Sequence, residues 1–251
     1  MKTTSCESNR TEEPAYDGYY KYDANIARDY DTSREKEVHW WREDQFIEAY
    51  FNKRQINSLL DLPVGTGRFF IHYHNVRNLV GVDISKAMLE EAREKLVFLS
   101  SETSVRLECG DVFSLRFTDN EFEVTLVCRL FHLIPQHMVA KAIRELCRVT
   151  KGEIIVQTYT LTKAARISLW RSRLKNKAFR SLHKIFPGLF YKKATESNAP
   201  LKPWSHIQAF YHQQSFLDSL FNNCGFYVLR RKILDKYEGT HVKFTIYSNE
   251  R

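Results

Sequence analysis

Apolar residues in this chain gather in short runs closed by acids, glycines or prolines, and their spacing sets the expected elements. The residues leading into Asp61 read as strands, as do Asn78–Val82, Val105–Cys109, Phe122–Cys128 and Glu153–Tyr159. The fourth of these, FEVTLVC, is predominantly apolar, the pattern of a strand covered on both faces of a parallel sheet. Between the strands the period changes. Ser85 stands where a helix cap belongs, and Met88, Leu89, Ala92 and Leu96 follow at helical spacing with charges opposite. A second helix is predicted over residues 136–149 and another over 207–222. Two final strands, Phe226–Ile233 and Thr240–Tyr247, flank a turn at Glu238-Gly239. Strands alternating with helices predict an α/β domain built on a mainly parallel sheet of βα-type units.

The candidate chemistry lies in the first turn. Residues 59–68 read LLDLPVGTGR, and GVDIS begins at Gly81. Gly65 and Gly67 let backbone approach a ligand where a Cβ would block it. The next helix is expected to start beside that ligand. Asp83 lies 22 residues after Asp61, about where a carboxylate accepts ribose hydroxyls in a Rossmann-type crevice. A dinucleotide fingerprint needs a third glycine, and Phe70 stands in its place. Each strand-end acid alone reads as a turn former or helix cap; Asp61, Asp83 and Asp111 together at this spacing read as a ligand site.

This run resembles motif I of the class I S-adenosylmethionine (SAM)-dependent methyltransferases, D/E-x-G-x-G-x-G, with Pro63 replacing the first glycine. The resemblance covers residues 55–160 in detail. It implies a single Rossmann-like, doubly wound sheet of seven strands, mostly parallel with an antiparallel last strand. It further implies a cofactor site of Asp61, Pro63, Gly65, Thr66, Gly67, Arg68, Asp83, Ile84 and Cys128. Asp111 would accept the adenine amino group, and the backbone of Val112 would meet a ring nitrogen. Arg129-Leu-Phe-His-Leu-Ile-Pro135 is similar to the family's segment after motif IV, which makes His132 the candidate base, ahead of Tyr159. Ile26–Asp31 resembles the "IAxxYD" segment of small-molecule methyltransferases, and it brings Tyr22 and Tyr30 to the cofactor as aromatic contacts. Arg34 and Trp41 are further candidates for reaching the pocket.

Charge changes the picture in one place. Residues 161–203 carry eleven Lys or Arg and one acid, so this segment is +10 and the remainder is −2. Ala164, Ile167, Trp170, Leu174, Ala178, Leu182 and Ile185 recur every three or four residues, with Arg173, Lys177, Arg180 and Lys184 on another face. A basic amphipathic helix inserted after the fifth strand is expected, placed as a lid over the substrate. It reads either as a solvated lid helix docked by its apolar face, or as the contact for an anionic small molecule, a lipid or glycolipid surface, or nucleic acid. The signatures of exocyclic-amine and C5 base methylation are missing after the fourth strand. The chain thus divides into a disordered tail (1–15), an N-terminal helical lid (16–50), a cofactor-binding core (51–160), the insert (161–203) and a C-terminal helix and hairpin (204–251).

The remaining composition narrows the class further. The N-terminal residues lack the apolar stretch of a signal peptide, and no apolar run reaches the ~18 residues of a membrane span. Five cysteines without C-x-x-C or zinc spacing read as free thiols in a reducing cytoplasm, and no metal site is expected. The reading is a SAM-dependent methyltransferase that yields S-adenosylhomocysteine (SAH) and methylates an O or N of a small anionic acceptor. Alternatives are a methyltransferase of RNA or lipid, a SAM-binding regulator without chemistry, and an NAD(P)-linked oxidoreductase.

Overall fold

A computed structural model describes residues 22–162, 164–168, 171, 210–237 and 239–249. Seven strands form one sheet: β1 (Ile56–Asp61), β2 (Val76–Asp83), β3 (Ser104–Cys109), β4 (Phe122–Val127), β5 (Thr150–Leu161), β6 (Tyr227–Tyr237) and β7 (Thr240–Ser248). Their order across the sheet is β3-β2-β1-β4-β5-β7-β6. Strands β1 to β5 run parallel, and β7 runs antiparallel between β5 and β6. The strand order reverses between β1 and β4, so a crevice opens there beyond the strands' carboxyl ends.

Alternation along the strands supplies two cores. Leu60, Val80, Val82, Ile154 and Val156 face one side. There they meet the buried stripe Val139, Ala142, Ile143 and Leu146 of α5 (Gln136–Val149) and Leu217 and Phe221 of α6 (Gln214–Asn223). Leu59, Leu79, Leu126 and Ile155 face the other side. They pack on α3 (Val38–Phe51), on α4 (Lys86–Glu94), and on Phe69, Phe70 and Tyr73. Two short helices, α1 (Ala24–Arg28) and α2 (Tyr30–Arg34), precede α3.

Three elements differ from the sequence pattern. The Gly-rich turn leads into a 3-10 helix, Arg68–His72, rather than an α-helix. The stretch from Asp61 to Val76 is short, and it buries Phe69, Phe70 and Tyr73 instead of extending a helix. Strand β3 reaches β4 through residues 110–121 without a helix. The helix expected from 207 begins at Gln214, because the preceding residues are pinned to the loop after β4. Phe210 N–H donates to the His132 carbonyl at 2.8 Å, and His212 Nε2 lies 2.9 and 3.0 Å from the carbonyls of Phe131 and Ile134. Residues 164–168 are helical, at the expected start of the basic insert.

The start of β5 is tightly built. A Cβ on Gly152 would come within 2.4 Å of the Glu123 carbonyl oxygen in β4. Gly152→Ala is expected to cost about 1–3 kcal/mol of stability through the forced strand shift. Urea unfolding of the variant against the parent measures it.

Candidate active site

The crevice holds a solvent-open cavity lined from β1, β2 and β4 and by the N-terminal segment. Its floor is the turn after β1. The Leu62–Pro63 peptide is cis, and Gly65 and Gly67 have φ of +55° and +70°. A Cβ on Gly67 would meet the Phe70 ring at 2.7 Å, whereas one on Gly65 would meet nothing within 4 Å. Gly65 is therefore needed for its backbone conformation, and Gly67 for both conformation and space.

Asp83 closes the other side of this turn. Its Oδ2 accepts from Gly65 N–H and its Oδ1 from Ser85 N–H, both at 2.9 Å. Burial pushes its carboxyl up to about 6, with the backbone donors pulling the other way. Asp61 lies deeper. Burial pushes it up to about 7 and the Asp83 charge adds to this, while the Tyr73 hydroxyl, donating at 2.8 Å, opposes. Asp61 anchors the base of the turn and does not line the cavity.

The N-terminal segment forms the roof. Asp31 of α2 accepts from Thr66 Oγ1 at 2.8 Å and pairs with Lys95. Ser85 Oγ donates to the Tyr22 carbonyl at 2.7 Å and also caps α4. Tyr22 and Tyr30 meet edge to face at 5.8 Å between centroids, and Trp40 stands 6.3 Å beyond Tyr30. The Trp40 ring is already occupied by guanidiniums, Arg68 at 3.4 Å and Arg129 at 5.1 Å. The Tyr30 ring likewise carries a guanidinium, that of Arg34, at 5.6 Å.

Behind the roof lies a buried ion cluster. Glu43 of α3 is 0% exposed. Its Oε2 accepts from Arg68 Nη1 at 2.9 Å and Arg129 Nε at 3.0 Å, and its Oε1 accepts from Gln157 Nε2 at 3.2 Å. Glu37 receives Arg34 at 2.7 Å, with Arg129 and His39 at 3.0 Å. Burial would raise the Glu37 carboxyl, but His39, Arg129 and Arg34 hold it well below the usual range. Arg129 itself has φ of +58°, uncommon for a residue with a side chain.

Residues 59–153, spanning β1 through the start of β5, match the family model described as "Methyltransferase domain". This stretch is thus a methyltransferase domain of the class I SAM-dependent kind. Carboxy-S-adenosyl-L-methionine synthase of Helicobacter pylori is 28% identical over 134 residues, covering 49% of this chain and 55% of that protein. Demethylmenaquinone methyltransferase of Bacteroides fragilis is 29% identical over 153 residues, covering 59% and 56%. The chain thus spans about half the length of these relatives. The SAH-bound magnesium protoporphyrin IX methyltransferase of Synechocystis superposes with a TM-score of 0.58 at 15% identity, over 90% of this chain and 99% of that one.

Within this methyltransferase domain the cavity gathers Tyr22, Tyr30, Pro63, Gly65, Thr66, Arg68, Asp83, Ile84 and Cys128 of the expected set. Asp111 instead closes its own turn, its Oδ1 accepting from Phe113 N–H at 3.1 Å, and Val112 sits in the core beneath. Neither lines the cavity, and nor do Gly67 and His132. His132 packs its ring on Tyr159 at 5.1 Å, between the lining residues Leu130 and Leu133. Trp40, not Trp41, faces the cavity; Trp41 is 57% exposed. Arg34 is turned to Glu37. Arg173, Lys177, Arg180 and Lys184 lie outside the described residues.

Cys109 is disulfide-bonded, which corrects the expectation of free thiols and removes that argument for a reducing compartment. Cys128, Cys147 and Cys224 are free. No helix among the described residues is long and apolar enough to cross a membrane, and no cluster there is arranged to hold a metal ion.

Glu43, Arg129 and Asp31 belong to the site without standing out as site residues in the sequence. A signal for Glu43 exists: His39, Trp40, Glu43, Phe46, Ile47 and Tyr50 make one buried helical stripe, and an acid inside it must be paired. Glu43→Gln leaves two guanidiniums without their shared carboxylate. We expect a loss of about 3–5 kcal/mol, read by chemical denaturation, with Asp44→Asn on the same helix as a milder control.

Proposed function

We propose that the protein transfers the methyl group of SAM to an oxygen or nitrogen of a small anionic acceptor. The observation that carries this reading is the buried Asp83 carboxylate, bridged to Gly65 N–H across the mouth of the crevice. It offers its remaining acceptor capacity to a ribose diol, beside the open approach that Gly65 provides. In support, the relatives' names include S-adenosyl-L-methionine and methyl transfer.

SAM carries its own activated leaving group. The chain's task is therefore to align the acceptor with the methyl carbon and to keep water out. Tyr22 and Tyr30 line the cavity as aromatic contacts for the cofactor. His132, which does not itself line the cavity and packs on Tyr159, is our choice of proton acceptor where the acceptor atom must be deprotonated. Strand β5 ends at Leu161 on the same edge of the sheet as the crevice, so the +10 segment begins beside the site. That field favours anionic acceptors.

Calorimetric titration of the purified protein with SAH tests the cofactor assignment. Micromolar binding is expected, lost in Asp83→Ala; absence of binding to the folded parent would refute it. The pH dependence has a defined sign. Ribose hydroxyls donate only to ionised Asp83, so binding expels a proton wherever the free protein holds one, below about pH 6. SAH affinity should rise roughly tenfold from pH 5 to 6.5 and then level off. Asp83→Asn should abolish that slope. Folding stability has the opposite trend, falling between about pH 4 and 6, because the unfolded chain releases the Asp83 proton first.

Neutralising Arg173, Lys177, Arg180 and Lys184 together should leave SAH affinity within about twofold and weaken acceptor binding in a salt-dependent way. Titrations at low and high ionic strength measure both. A collapse of SAH affinity would place the insert in the cofactor site instead.

A further inference from the structure

The cavity retains one strong donor that the protein itself leaves unused. Arg129 commits Nε to Glu43 and Nη1 to Glu37, each at 3.0 Å, and its backbone N–H to the Gln157 side-chain oxygen at 3.1 Å. Its Nη2 is buried without a hydrogen-bond partner, although Arg129 lines the cavity. A buried charged donor left unsatisfied is costly, and so is a left-handed backbone at a residue other than glycine. Both costs fall on one cavity-lining residue. Such a conjunction is the mark of a group held ready for a ligand.

The position narrows which part of a ligand it meets. Arg129 follows β4 and Asp83 ends β2, with β1 between them. At about 4.8 Å per strand they stand on the order of 10 Å apart across the crevice. A nucleoside held at Asp83 therefore leaves Arg129 toward the opposite side, adjoining β5, from which the +10 segment departs. The local balance also points to a single charge. Arg34, Arg68 and Arg129 share Glu37 and Glu43, while Asp44 lies 3.1 Å from His72 and 3.9 Å from Arg68 Nε on the outer side. With Asp44 counted, three guanidiniums meet three carboxylates, so the single free Nη2 of Arg129 suits a monoanion rather than a phosphate dianion.

We propose that Arg129 selects acceptors bearing a carboxylate, its Nη2 taking one carboxylate oxygen on the β4 side of the cavity. This rests on the cofactor reading above and adds the class of acceptor. Glu43 and Glu37 act as positioning residues, fixing Nε and Nη1 of the guanidinium.

The test uses acid and amide pairs as probes: acetate, benzoate and indole-3-acetate against acetamide, benzamide and indole-3-acetamide. Each is titrated into the SAH-saturated full chain, followed by ligand-observed NMR. At least one acid is expected to bind tenfold or more tighter than its amide. Arg129→Gln should remove that preference; Arg129→Lys should retain part of it. Equal binding of every acid and amide to the parent protein overturns the proposal, and that comparison needs no variant to fold. So does a tenfold loss of SAH affinity in a variant that melts like the parent, since Arg129 would then hold the cofactor's own carboxylate. If SAH fails to bind the parent, the cofactor reading falls separately, and the same pairs are titrated into the unliganded protein.

Discussion

The buried carboxylate of Glu43 joins parts of the chain that the sheet alone does not bring together. Through Arg68 it holds the turn after β1, through Arg129 the end of β4, and through Gln157 the middle of β5. An ionised carboxylate with no solvent exposure is tolerable only when every oxygen has donors, and here each oxygen has at least one. The arrangement is therefore all or nothing. With the cluster intact, α3 lies across the crevice and presents Trp40 to it; without it, the roof and the floor have no common support.

That support explains how a short N-terminal segment becomes part of the site. Helices α1 and α2 have five residues each, too few to be stable alone. Asp31 ties α2 to Thr66 and Lys95, and the Tyr22 carbonyl is bound by Ser85. These polar ties use side chains from the turn and from α4. A ligand entering the turn meets a roof already connected to it.

The cavity is consequently polarised. Asp83 stands at the β2 end and Arg129 at the β4 end, with apolar and aromatic groups between them. Asp83 is buried and Arg129 nearly so, and each is directed by neighbours: backbone N–H groups for the acid, glutamates for the guanidinium. Groups fixed in this way need little rearrangement when a ligand arrives, which is where an enzyme gains over water. The positive φ values at Gly65, Gly67 and Arg129 all fall in this same crevice.

Much of this architecture is legible in the amino-acid sequence alone. Strand positions follow from local apolar patterning, and a parallel strand buried on both faces leaves a strong local trace, as in Phe122–Val127. The turn with Gly65, Gly67 and Asp83 is also readable, because backbone conformation and the reach of a carboxylate depend on a few neighbouring residues. The antiparallel hairpin at the end of the sheet is legible for the same reason. Tertiary structure decided the rest. The loss of a helix after the turn depends on where Phe69, Phe70 and Tyr73 find a core. The late start of α6 depends on hydrogen bonds from Phe210 and His212 to a loop far away in sequence. Above all, the pairing of Glu43 with Arg129 spans 86 residues. Local pattern registers which side chains must be buried; which charges meet there is set only when the sheet brings distant segments to one edge.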